Sequence, residues 1–111
     1  MGSSRPRLTR TRSARLGEKL LQIRLALELS QGGMLDRLGF SEELFRSNIS
    51  QYERGMREPH LPMLLAYARA ANVYVEALID DELDLPDKLP SATKSEGIRR
   101  APPARARSRK R

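Results

Sequence analysis

Apolar residues recur at helical spacing from residue 16 onward, and the chain repeatedly supplies its own stops. Leu16, Leu20, Ile23 and Leu27 fall on one face of a helix, with Leu21 and Leu25 widening the stripe. Ser30 is placed to cap a second helix, "SQGGMLDRL", which Gly39 can close in a left-handed conformation. A third helix carries Phe45, Ile49 and Tyr52 inward and ends before Gly55. Pro62 sits where a fourth helix would open, with Leu61, Leu64, Leu65 and Ala68 at inward spacing. Asn72 is a candidate left-handed cap, and "YVEALIDDEL" supplies a short fifth helix. No stretch shows strand alternation and no internal repeat is present. The pattern predicts a compact all-α domain of five helices.

Composition excludes several classes. A chain of 111 residues has room for one domain. Without Cys it forms no disulfide or thiolate metal site, which fits a reducing cytoplasm. The single His60 cannot build a His-based metal site. No apolar run approaches the ~20 residues needed to cross a bilayer. The start, "MGSSRPRLTRTRSARLG", lacks the apolar core of a secretory signal, and Pro6 stands where a myristoylation signal wants Ser or Thr. No nucleophile–base–acid set and no phosphate-cradling glycine loop is present, so the chain is not expected to be an enzyme or to carry a cofactor. "LIDDELDLPD" clusters Asp80, Asp81, Glu82, Asp84 and Asp87, but without the glycine and ligand spacing of a calcium loop. It is expected to be a solvated acidic helix end, with no metal.

The charge is segregated. Residues 1–15 carry five Arg and no acid, residues 16–85 carry 7 basic and 12 acidic groups, and residues 86–111 carry 9 basic and 2 acidic groups. The net +7 therefore resides in the flanks. Within the middle, residues 16–57 balance at 6 against 6, whereas 58–85 hold one Arg and six acids. A surface that meets phosphate has to lie in the earlier part, because the later part would repel it. This divides the chain into a basic arm over 1–15, a folded domain over 16–85 and a Pro-, Ser- and Arg-rich tail over 86–111. The tail's composition predicts disorder and a sequence-blind phosphate contact.

The third helix carries the candidate site. With Ile49 inward and ~100° per residue, Ser47, Ser50, Gln51 and Arg54 fall on the opposite face. Arg46 lies at the helix start, where its long side chain can reach forward. These are the donors and acceptors that the major groove requires: Arg for guanine, Gln for adenine, Ser for either kind of edge. A plain solvated helix face has the same composition, so the face alone does not decide.

"LSQGGMLDRLGF", "NISQYERGMREPHLPMLLAYARAANV" and "VEALIDD" together resemble the helix-turn-helix domain of the Cro and phage-repressor class of bacterial regulators. The resemblance spans roughly residues 16–81. It implies a λ-repressor-like fold in which the helix beginning at Ser30–Gln31 crosses the DNA backbone and the next enters the major groove. By position it places Arg46, Ser47 and Gln51 at bases, beside Ser50 from the rotation. Gln31 would meet phosphate, Asn48 would lie near the backbone with Arg54, and Arg57 would follow in the loop beyond. It further implies a partly buried ion pair between Arg24 and Glu53. Three departures stand out: about four extra residues between Gly39 and Ile49, Leu35 where a small Ala is usual, and Gly32 and Gly33 in the second helix's first turn. They predict a third helix displaced or extended at its front and a looser second-helix start, each such glycine costing roughly 1 kcal/mol in a helix interior.

The expected function is that of a sequence-specific transcriptional regulator, a repressor, in the bacterial cytoplasm at the nucleoid. Its partners would be double-stranded DNA and a second copy of itself, since one short helix makes too few base contacts for genomic specificity. Leu78, Ile79, Leu83 and Leu85 form the candidate dimer surface. Two alternatives remain: an antitoxin whose tail binds a toxin protein, and a protein-interaction adaptor that has lost DNA binding.

Overall fold

The computed structural model describes residues 13–100. Five helices follow one another: α1 (Leu16–Ala26), α2 (Gln31–Leu38), α3 (Arg46–Glu53), α4 (Leu61–Ala71) and α5 (Val75–Ile79). Among the described residues, none of these is long and apolar enough to cross a membrane. The stops act as their chemistry dictates. Ser30 Oγ accepts the Gly33 N–H at 2.9 Å, and Gly39 (φ 87°) and Asn72 (φ 57°) end α2 and α4 in the left-handed region. A Cβ on Gly33 would lie 3.2 Å from that Ser30 oxygen, so the glycine keeps the cap uncrowded. The start of α2 is thus capped by Ser30, with Gly33 supplying the bonded N–H.

The core draws on all five helices, centred on Leu20, Ile23, Met34, Ile49, Met63, Tyr67 and Leu78. Two inward faces differ from expectation. On α4, Met63 and Tyr67 are fully buried with Leu64 and Ala68, while Leu61 is 78% exposed and Leu65 40%. His60 Nδ1 caps this helix by accepting the Met63 N–H at 3.2 Å, which leaves Leu61 on the outer side of the first turn. On α3, Phe45 is 76% exposed, since it precedes the helix in extended conformation instead of sharing the face of Ile49 and Tyr52.

Lys19 is the most unexpected core residue, with no exposed surface. Its ammonium donates to the carbonyls of Ala77 and Asp80, each at 2.9 Å, at the C-terminal end of α5. A cation there complements the helix dipole and satisfies carbonyls that have no partner within the helix. Burial pushes the Lys19 ammonium below its ordinary range. A five-residue helix is far too short to persist alone, so α5 depends on this contact and its packing.

The expected boundary at residue 85 and the expected disorder from 86 onward do not hold through residue 100. That segment doubles back over α4 and α5. Ser91 N–H donates to Ala71 O (2.9 Å), Ser95 N–H to Asn72 O (3.2 Å) and Tyr74 N–H to Ser95 O (2.8 Å). The Asn72 side chain donates to Ser91 O at 2.7 Å. Two short strands then form where none was expected: β1 (Leu83–Asp84) pairs antiparallel with β2 (Ile98–Arg99). Gly97 (φ 90°) lets the segment approach, since a Cβ there would lie 3.1 Å from both Ala77 Cβ and Asp84 O. The candidate dimer surface is correspondingly lost. Leu78 and Leu85 are buried in the core, Leu83 lies in the ribbon, and Ile79 alone of the four is exposed. The N-terminal arm also ends earlier than expected, because Ser13, Ala14 and Arg15 belong to the folded body. Residues 1–12 and 101–111, which complete the two flanks, lie outside the described residues.

Backbone pairing of residues 91–100 predicts two different truncation outcomes. Removing residues 101–111 should leave the denaturant midpoint unchanged. Removing 86–111 should lower stability by more than about 2 kcal/mol, because apolar surface on α4, α5 and β1 is uncovered. Equal midpoints for the two truncated chains in urea unfolding would refute the clasp.

Candidate nucleic-acid interface

The candidate site is built on α2, the turn that follows it, and α3. Gly39 and Phe40 N–H groups both return to Leu35 O at 3.2 Å, which closes α2 sharply. The extra residues do not lengthen α3. They form a turn of their own, in which Glu43 and Leu44 N–H groups donate to Phe40 O at 3.1 and 2.9 Å. Phe40 stacks at a tilt on His60, ring centres 5.5 Å apart, so the turn is held against the start of α4. Phe45 N–H then donates to Asn48 Oδ1 at 2.9 Å, and α3 begins at Arg46. Asn48 therefore spends its side-chain oxygen on the helix start.

Glu53 fixes the other end of α3. Arg24 of α1 grips its carboxylate in a two-point pair, Nε–Oε2 2.6 Å and Nη2–Oε1 3.1 Å. The side chains are only 14% and 5% exposed. Arg24 Nη1 also donates to Leu29 O (3.0 Å), and Gln31 Nε2 donates to Glu53 Oε1 (3.2 Å). Its hydrogen bond to Glu53 holds the Arg24 guanidinium above its ordinary pKa. Gln31, expected to reach outward to phosphate, is half-buried with its side-chain amide turned onto this pair.

The outer face of α3 divides by exposure. Arg46, Ser47, Arg54 and Arg57 are exposed, and none has a hydrogen-bond or ion-pair partner among the described residues. Ser50 and Gln51 are half-buried, and Gln51 Oε1 is enclosed without a partner. Arg57 lies beyond Gly55 (φ 75°), near enough to Tyr52 to favour its ionised form, although burial pushes that hydroxyl above its ordinary range.

No family model, curated protein or solved structure matches the chain.

The acidic cluster is used internally. Asp81 accepts the N–H groups of Ala14 (2.8 Å) and Arg15 (3.1 Å), bonds that hold its carboxyl below the usual range. Asp80 accepts from Glu82 N–H (2.9 Å), Glu82 pairs with Arg99 (2.9 Å), and Asp84 pairs with Arg15 (2.5 Å). Among the described residues, no group of three or more His, Cys, Asp or Glu is arranged to hold a metal. Sequence reasoning missed Arg15, Lys19 and Asn72 as tertiary anchors. The available signal was electrostatic: an Arg and a Lys just before α1, or on its inner face, with four acids after α5 and no other nearby cations in the middle segment.

The Arg24–Glu53 pair generates a stability prediction. Arg24→Ala or Glu53→Gln alone should cost about 3 kcal/mol, since each leaves a buried charge or its hydrogen-bonding partners unsatisfied. The double variant should lose less than the sum by roughly 0.5–3 kcal/mol. Strict additivity in urea unfolding would count against the coupling.

Proposed function

We propose that the chain is a sequence-specific double-stranded DNA-binding regulator of the λ-repressor-like helix-turn-helix type, with α3 in the major groove. The observation that carries this is the outer face of α3. Its near end is set by the Asn48 bond and its far end by Arg24 and Gln31 on Glu53, while Arg46, Ser47 and Arg54 stand exposed with no partner among the described residues. A rigid helix presenting polar groups outward is what base-edge recognition requires. Arg46 and Ser47, on the first turn, occupy the part of a recognition helix that meets bases, with Ser50 and Gln51 one turn further on. Arg54 and Arg57, at the far end, are the phosphate contacts. Gln31 reaches phosphate only by leaving Glu53, and Asn48 contributes through its amide nitrogen, since its oxygen is engaged.

The protein acts as a repressor on a two-fold site, because one helix of eight residues offers too few contacts for genomic specificity. The dimer contact lies outside Leu78 and Leu85. Selection from random duplexes at stated salt tests the proposal: an enriched two-fold motif is the expected result, and enrichment of nothing would sink it.

Gln51→Ala provides a sharper check. It should weaken discrimination at one base position per half-site by about 1–3 kcal/mol. Folding stability should be unchanged or slightly higher, because the variant removes an enclosed acceptor that has no partner. A variant that keeps the full base preference at every position would mean that another face of the protein reads DNA.

A further inference from the structure

Of the chain's two phenylalanines, one is held and the other is presented. Phe40 stacks on His60, whereas Phe45, one residue before α3, is 76% exposed. A single exposed ring is ordinary on a protein surface. This one differs in that its own backbone is fixed from both sides. Phe45 N–H donates to Asn48 Oδ1 at 2.9 Å, and Asn48 N–H donates back to Phe45 O at 2.8 Å. The turn before it is tied as well, since the Glu43 and Leu44 N–H groups both return to Phe40 O. Phe40 and Leu44 pack against the core, so Phe45 is the apolar residue of this turn that is left exposed.

The neighbours of Phe45 decide what the ring is suited to meet. Arg46 and Ser47 follow it on the first turn of α3, exposed and with no partner among the described residues. Glu42 and Glu43, exposed in the turn just before, disfavour a phosphate at this point. A base edge is the better partner. The apolar group on a major-groove edge is the C5-methyl of thymine, and aromatic side chains pack against it.

We propose that Phe45 reads thymine, by packing its ring on the C5-methyl group at one position in each half-site. This rests on the proposed DNA binding by α3 and adds a base preference that its polar residues do not supply. Arg46, Ser47, Ser50 and Gln51 tell bases apart by their donors and acceptors. Thymine and uracil present the same donors and acceptors and differ by the methyl group alone. A packing contact separates them, and a hydrogen bond does not.

Deoxyuridine therefore isolates the contact. Each thymine of the duplex selected above is replaced singly by deoxyuridine, and binding of the full chain and of its Phe45→Ala variant is measured. The full chain should lose about fourfold in affinity at one thymine per half-site, the worth of one buried methyl group. Phe45→Ala should bind the two duplexes alike at that position, and Phe45→Leu, still apolar, should keep part of the preference. Circular dichroism checks that Phe45→Ala folds, and the base replacement tests the contact on an unaltered chain in any case. A full chain indifferent to every replacement, a selected motif without thymine, or a Phe45→Ala chain that keeps the preference overturns thymine reading. Each of these leaves the DNA proposal standing. If Phe45→Ala lowers the oligomeric state of the DNA-free protein in sedimentation, the ring belongs to a contact between copies, which also overturns it. Failure of the full chain to enrich any duplex overturns both.

Discussion

The Glu53 carboxylate is the constraint from which the packing of the first three helices follows. It sits at the end of α3, 5% exposed, and a charge so placed is tolerable only if its oxygens are satisfied. Arg24 from α1 and Gln31 from α2 satisfy them together. Three helices are thereby referred to one point. The angle of α3 follows from that point and from Ile49 and Tyr52 beneath it, both buried. A replacement of the pair by apolar residues could match its stability. It would not reproduce the directional tie that Gln31 makes from the neighbouring helix.

The charge distribution is organised by a second set of ties. Four acids over residues 80–84 would oppose a polyanion if left free, yet their oxygens accept from Ala14, Arg15, Glu82 and Arg99. Lys19 adds a buried cation against the neighbouring backbone carbonyls. Much of the acidic field is thus answered locally, on the end of the domain where the chain flanks arrive. The exposed pairs, such as Arg99–Glu82, contribute little stability and are screened by salt. Their effect is to place charge.

The sequence made the helices legible because each carries both a period and a stop. Ser30, Gly39, Gly55, Pro62 and Asn72 lie within two residues of helix ends, for stereochemical reasons that hold in any context. Facing was legible only where a helix has one apolar stripe. On α4, Leu61, Met63, Leu64, Leu65, Tyr67 and Ala68 offer two stripes about 100° apart, and tertiary packing chose the one with Met63 and Tyr67. The clasp was illegible for a different reason. Residues 91–100 hold their place chiefly through backbone hydrogen bonds and a glycine, none of which leaves an apolar signature. A composition argument for disorder counts side chains and misses this. At the interface, rotation from Ile49 identified the outer face of α3. It could not foresee that Gln31 and Asn48 would be occupied by the scaffold itself.

The clasp also changes what self-association has to work with. Leu78, Ile79, Leu83 and Leu85, on and after the last short helix, are the surface the sequence offers to a second copy. Here α5 is consumed from both sides, by Lys19 on its carbonyl end and by the returning segment at Gly97. What remains apolar and exposed among the described residues is scattered: Ile79, Tyr74 and Ile98 near the clasp, Phe45 before α3, Met56 after it, Leu61 and Leu65 on α4, and Leu25 on α1. Scattered single residues are normal on a monomer and do not form an interface alone. On the proposed reading, two copies on one duplex would need little mutual surface, because each would be confined by its own phosphate and base contacts. A weak protein contact then gains a high effective concentration. On that reading, DNA rather than a preformed apolar surface would bring the two copies together.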